Sequence, residues 1–195
     1  MRVVVIGASG TIGSAIVAAL ADRHEVVRAS RRGPVAVDIG DPASVERALR
    51  TVGEVDAVMC AAAHAPLVPS AELTDERFAA ALRDKLIGQA TLVTRSLPHL
   101  RDGGSVTLTA GTFGEPLAGS GVGALVNEGL KGFVRAVAPE LPRGIRVNVV
   151  SPGWVRETLD AHDSTPAAEV ARAYVECVEG RTSGRNIVPG RVGGA

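Results

Sequence analysis

At 195 residues, with 46% hydrophobic and 22% charged residues, the chain has the size and composition of one globular domain spanning 1–195. Basic and acidic residues number 21 each, which argues against a nucleic-acid-binding surface, since such surfaces carry a basic excess. Cys60 and Cys177 are too few for a disulfide framework and lack zinc-ligand spacing. No apolar run approaches the ~18 residues of a membrane span, and Met1-Arg2 leads directly into Val3-Val4-Val5-Ile6 with no signal-peptide layout. The expectation is a soluble, cytoplasmic protein.

In chain order, short aliphatic runs alternate with helical ones. Val3 to Ile6 is a continuous apolar run ending in glycine, as in a buried parallel strand. Ile12 to Ala21 is helical, Glu25 to Ala29 a second strand and Val35 to Val37 a short third. Asp41 caps a helix that starts at Pro42 and runs through Arg50. Val55 to Cys60 is the fourth strand, and Thr74 caps a long helical stretch reaching about Leu97. Gly103-Gly104 precedes a fifth strand, Ser105 to Ala110, followed by a helix over Gly121 to Glu140 and a sixth strand, Ile145 to Val150. Thr165 caps a last helix, Pro166 to Val178, and Arg185 to Val188 closes the series. Alternating strands and helices require a parallel sheet covered on both faces. The fold expected is a single doubly wound parallel α/β sheet of about seven strands, a Rossmann fold.

The first strand runs into Gly7-Ala8-Ser9-Gly10-Thr11-Ile12-Gly13 and then a helix. Gly7 permits a tight turn, Gly10 admits a pyrophosphate close to the backbone, and Gly13 lets the helix pack closely. The helix N-terminus offers free N–H groups and a positive dipole end to phosphates. At the end of the second strand stand Ser30-Arg31-Arg32, with no acid of the kind that bonds an NAD ribose. A hydroxyl and two guanidiniums suit a 2′-phosphate instead, so NADP(H) is the expected cofactor. A solvated basic turn is the alternative.

On these residues the chain resembles the short-chain dehydrogenase/reductase family along its whole length. The glycine loop matches, as do Val55-Asp56 to Ala63 and Arg143-Gly144-Ile145-Arg146-Val147-Asn148-Val149-Val150-Ser151-Pro152-Gly153. The resemblance implies phosphate contacts at Gly7, Ser9, Gly10, Thr11 and Ile12. It implies adenine contacts at Asp38 and Ile39, and dinucleotide contacts along the Cys60-Ala61-Ala62 turn. Pro152 and Val155 then lie beside the nicotinamide. The family's interface helices correspond to residues 75–97 and 121–140, which are rich in Ala, Leu and Val; a homodimer or higher homo-oligomer is expected.

The family's catalytic residues are a different matter. By the same resemblance, Ala110 occupies the serine position, Gly123 the tyrosine, Asn127 the lysine and Lys85 the asparagine. All four are changed, as in a small atypical subgroup of about 200-residue members. Only Trp154 to Thr165 is available to cover a substrate, so the site should be shallow or completed by a second subunit. Thr112, His64 and Lys85 are the candidates for substitute chemistry: a hydroxyl donor, a group titrating near neutrality, and an amine whose pKa burial can lower. Thr109 also flanks the vacated serine position, though a threonine there commonly satisfies a strand end. Three functions are compatible with this pattern: an oxidoreductase with an atypical proton donor acting on a small molecule, a cyclase, isomerase or dehydratase on the same scaffold, or a non-catalytic dinucleotide-binding protein.

Overall fold

The strands are β1 (Arg2–Ile6), β2 (Glu25–Ser30), β3 (Val35–Ala36), β4 (Val55–Cys60), β5 (Leu100–Thr109), β6 (Arg146–Val150) and β7 (Asn186–Ile187). In a computed structural model, which describes residues 1–63, 67–115, 117–159 and 164–190, they form one parallel sheet in the order β3-β2-β1-β4-β5-β6-β7. The strand period of two sends neighbouring side chains to opposite faces. Val4 and Ile6 of β1 join Val58 and Cys60 of β4 on one face, while Val3, Val5, Ala57 and Met59 point to the other.

The helices divide between those faces. On the first lie α2 (Pro42–Val52), α4 (Gly88–Ser96) and α5 (Gly121–Val137), which bury Leu49, Leu92, Val126 and Leu130. On the second lie α1 (Thr11–Leu20) and α6 (Ala167–Glu179), which bury Ile16, Leu20, Val170 and Tyr174. Both β2 and β4 pair with β1, so connections leave in opposite directions from the β1/β4 junction. In such sheets the crevice at the carboxyl ends of those strands is where ligands bind.

Four local expectations are corrected. The stretch after Thr74 is not one α-helix: α3 (Asp75–Ala81) passes into a π-helical turn, Leu82–Ile87, before α4. The turn packs against the β3–α2 connection, where a Cβ on Gly88 would stand 2.6 Å from the Ile39 carbonyl oxygen. Strand β5 begins five residues early, with a register irregularity between Val55 and Ala57 on its partner and the Gly103 N–H bonded to the Arg143 carbonyl. Thr165 does not cap α6, because the helix begins at Ala167 with Pro166 at its N-cap, while Thr165 is bonded through its N–H and carbonyl to Trp154 and Arg156. Glu157 caps instead, accepting from the Ala167 N–H at 2.9 Å. The helix after Gly121 ends at Val137 and continues only as a 3-10 turn, Ala138–Glu140.

Candidate active site

The glycine loop is built by contact within the chain. Gly7 has φ +84°, and a Cβ there would meet the Ala62 nitrogen at 2.6 Å; one on Gly13 would meet the Gly7 carbonyl oxygen at 2.0 Å. Both glycines are therefore demanded by the fold. Gly10 is not. It has φ −82°, and its Cβ would meet only the Gly7 carbonyl oxygen, at 3.4 Å. It stands at the N-cap of α1 with no side-chain cap and no acidic residue in the first turn. The N–H groups of that turn, at Thr11, Ile12 and beyond, face outward with the positive end of the helix dipole. Such a cradle fits a pyrophosphate.

The neighbouring segments follow the carboxyl ends of strands β2, β3 and β4, on either side of β1. Ser30 is buried at the end of β2, its hydroxyl so close to Gly33 that a Cβ there would lie 2.5 Å away. Arg31 and Arg32 are exposed, and among the described residues neither joins an ion pair. Asp38 accepts from the Gly40 N–H at 2.9 Å, and its own N–H donates to Ser44 at 3.0 Å, which fixes the turn before Ile39. Cys60, expected to contact the dinucleotide, is fully buried: desolvation pushes its thiol up to about 12 and its carbonyl accepts from the Thr109 hydroxyl, so the accessible part of this turn is Ala61 and Ala62. Ser9 is exposed on the loop.

The substitute-chemistry residues diverge in fate. Lys85, on the π-helical turn, is 5% exposed; its Nζ donates to the Asn127 Oδ1 at 2.8 Å and the Ala110 carbonyl at 3.1 Å. Desolvation lowers its pKa to about 8; the nearby Cys60 thiol opposes that shift and Lys131 adds to it. Thr109 is spent structurally. Its hydroxyl donates to the Cys60 carbonyl and must therefore accept from the Tyr174 hydroxyl, whose pKa burial raises. Thr112 is tied by its N–H to the Pro152 carbonyl at 2.9 Å, which leaves its side chain in the cleft. Val155 is buried and bridged to Thr165. His64 lies outside the described residues.

Two adjoining clefts share Thr112, Phe113, Gly114 and Glu115. The smaller, about 370 Å³, is floored by Gly111, Ser120 and Asn127. The larger, about 710 Å³, is walled by Leu67, Phe113, Leu117, Trp154, Leu159 and Val188. Phe113 and Trp154 meet edge to face at 6.1 Å. Volumes of ~300–1,000 Å³ suit small-molecule ligands.

A family model described as enoyl-(acyl carrier protein) reductase matches residues 1–195. Human L-xylulose reductase is 33% identical over 182 residues, covering 81% of this chain and 73% of that protein. The chain belongs to the short-chain dehydrogenase/reductase family. Among solved structures, the protein lin1944 of Listeria innocua is 38% identical, with a TM-score of 0.93 over 96% of this chain and 98% of that one. A small-chain dehydrogenase in complex with NADPH is 25% identical, with a TM-score of 0.85 over 96% and 95%. The chain spans about half the length of the other curated relatives it matches, from 41% to 52%.

Within this family frame, three of the four positions assigned to the usual catalytic residues do meet. Lys85 bonds to both Ala110 and Asn127, and Gly123 lies one helical turn before Asn127 on the same buried face. Sequence reasoning missed Gln89. It is fully buried, donates to the Thr109 carbonyl at 2.8 Å and accepts from the Thr109 N–H at 2.7 Å, which clamps the end of β5. A polar residue four beyond Lys85, on an otherwise apolar helix face, was the available signal. The Tyr174–Thr109 contact spans 65 residues and had no local signal.

Proposed function

We propose that the protein is an NADP(H)-dependent oxidoreductase with an atypical active site, acting on a small molecule. The observation that carries this is Gly10, a glycine the fold does not require, at the uncapped start of α1, together with the exposed Arg31 and Arg32 just past the neighbouring strand β2, which join no ion pair among the described residues. The backbone of Gly7 to Ile12 holds the pyrophosphate, and Ser30, Arg31 and Arg32 take the 2′-phosphate. Asp38 and Ile39 border the adenine; Ala61 and Ala62, just past the buried Cys60, line the middle, and Pro152 and Val155 border the nicotinamide. Bound there, the cofactor supplies hydride. The chain's task is to place the substrate and to supply or admit a proton, for which Thr112, Lys85 and His64 are the candidates.

The experiment is loss of NADPH absorbance against a panel of carbonyl, enone and imine compounds. Simple aldehydes and ketones should react about 10²–10⁴-fold more slowly than with a relative carrying the full proton relay. Brisk ketone reduction that disappears when Thr112 is changed would identify that hydroxyl as a substitute acid and refute the impaired relay. No turnover of any compound despite tight NADPH binding would favour the second reading, a non-catalytic binding protein, to which the missing side chains at Ala110 and Gly123 already point.

Residues 1–195 are proposed to act as one cytoplasmic domain that forms a homodimer or higher homo-oligomer through α4 and α5. Ile87 and Leu125, 52% and 49% exposed, lie on that side. Light scattering should give at least twice the 20.0 kDa chain mass; a monomer throughout the micromolar range would contradict it.

A further inference from the structure

We propose that Asn127 donates a hydrogen bond through Nδ2 to the carbonyl oxygen of a small, uncharged substrate with an apolar body, and that Lys85 is the positioning residue that aims it. The inference rests on the oxidoreductase reading and names the kind of substrate its site takes.

An ammonium only donates. With Lys85 Nζ 2.8 Å away, the Asn127 amide must therefore turn its oxygen inward and its nitrogen outward. On the outward side lies Gly111, where a Cβ would stand 3.0 Å from Nδ2, and both residues floor the smaller cleft. Among the described residues no protein acceptor takes either Nδ2 proton, whereas the oxygen is held. One turn earlier, Gly123 places no side chain over this point.

The same contacts strengthen the donor. Lys85 is buried against two neutral acceptors, the Asn127 amide and the Ala110 carbonyl. The groups that face it from other elements are the Cys60 thiol of β4 and the Lys131 ammonium of α5; its chain neighbour Asp84 points to Gly40 instead. No carboxylate neutralises the cation directly among the described residues. Its field polarises the amide, so Nδ2–H donates more strongly to an oxygen on which negative charge accumulates.

The adjoining larger cleft sets the remainder of the substrate. Its walls are aliphatic and aromatic, and among its described lining residues Glu115 is the one charge. An anionic substrate is disfavoured there, while an aryl or alkyl body packs against Phe113 and Trp154.

Benzylideneacetone labelled with ¹³C at the carbonyl serves as the probe, titrated with and without NADP⁺, after calorimetry has established separately whether the dinucleotide binds. Trp154 is the chain's single tryptophan, so its fluorescence reports occupancy of the larger cleft independently of the carbonyl. Binding should quench Trp154 and move the carbonyl resonance downfield. Asn127→Asp, which keeps the shape and the contact with Lys85 but removes both donors, should abolish the downfield movement and weaken the probe about three- to tenfold. Lys85→Met should lose most of the movement, and Lys85→Arg, again a donor-only cation, should restore it. An intact protein in which the probe leaves Trp154 unquenched, or a downfield movement that survives Asn127→Asp, overturns the proposal. Failure of NADPH and NADP⁺ to bind would instead overturn the oxidoreductase reading, while the probe without cofactor still tests Asn127.

Discussion

Gly13→Ala should cost about 3 kcal/mol or more of stability, the upper range for a side chain forced into a filled site, whereas Gly10→Ala should leave the fold intact and weaken NADPH about tenfold or more. The two glycines sit three residues apart, yet their surroundings oppose each other. A Cβ on Gly13 would stand 2.0 Å from the Gly7 carbonyl oxygen, which is backbone and cannot swing aside. A Cβ on Gly10 meets that oxygen at 3.4 Å, within ordinary reach, and φ −82° suits any residue. What Gly10→Ala does obstruct is the space in front of the helix terminus. Thermal melts of both variants and an NADPH titration of the second check this. A Gly13→Ala protein with an unchanged melting temperature would show that the α1–loop contact is not as close as described.

Lys85→Met should alter stability in a pH-dependent way. The folded protein lowers the Lys85 pKa from 10.5 to about 8, chiefly by desolvation. Folding therefore opposes the charged form. The penalty is complete below pH 8, about 3 kcal/mol at 1.36 kcal/mol per pKa unit, and is relieved as pH rises from about 8 to 10.5. Buried Cys60 and Cys177 act oppositely: their thiols are raised from 9.0 to about 12, so stability is lost as pH climbs above 9. The quantity to follow is the difference between intact and Lys85→Met proteins below pH 10.5, in which Cys177 cancels and Cys60, though coupled to Lys85, stays protonated in both folded proteins. It should change in favour of the intact chain by about 3 kcal/mol between pH 8 and 10.5, read from urea unfolding at each pH. A constant difference would mean that Lys85 titrates normally.

Much of the architecture was written locally. Strand β4 fills its expected bounds, Val55–Cys60, because an apolar run flanked by a glycine turn leaves no other choice. Asp41 and Thr74 cap their helices as their side chains dictate, accepting from the Ala43 and Arg77 N–H groups. The failures share a physical cause: contacts with distant segments. Gly103-Gly104 reads as a break before the fifth strand, yet it lies within β5, and Gly103 and Arg143 bond to the chain across from them. The π-helical turn depends on Gly88 meeting Ile39, and Thr165 bridges to Val155 instead of capping. At the site, the glycine loop was legible because its turn and helix are consecutive. Residues 85, 110 and 127 emerged only through resemblance, and their mutual contact needed the fold. That Thr109 is occupied by Tyr174 while the Asn127 amide is turned outward was not accessible from spacing at all.

The proposed function places an NADP(H) molecule across the glycine loop with its 2′-phosphate on Arg31 and Arg32. Calorimetric titration with NADPH and NADH tests it most directly. NADPH should bind more tightly, and Arg31→Ala should weaken NADPH selectively by about 1–3 kcal/mol, the range for a lost charge-assisted bond, with NADH unaffected. Equal affinity of the intact protein for the two dinucleotides, or an Arg31→Ala protein that binds NADPH as before, would contradict it.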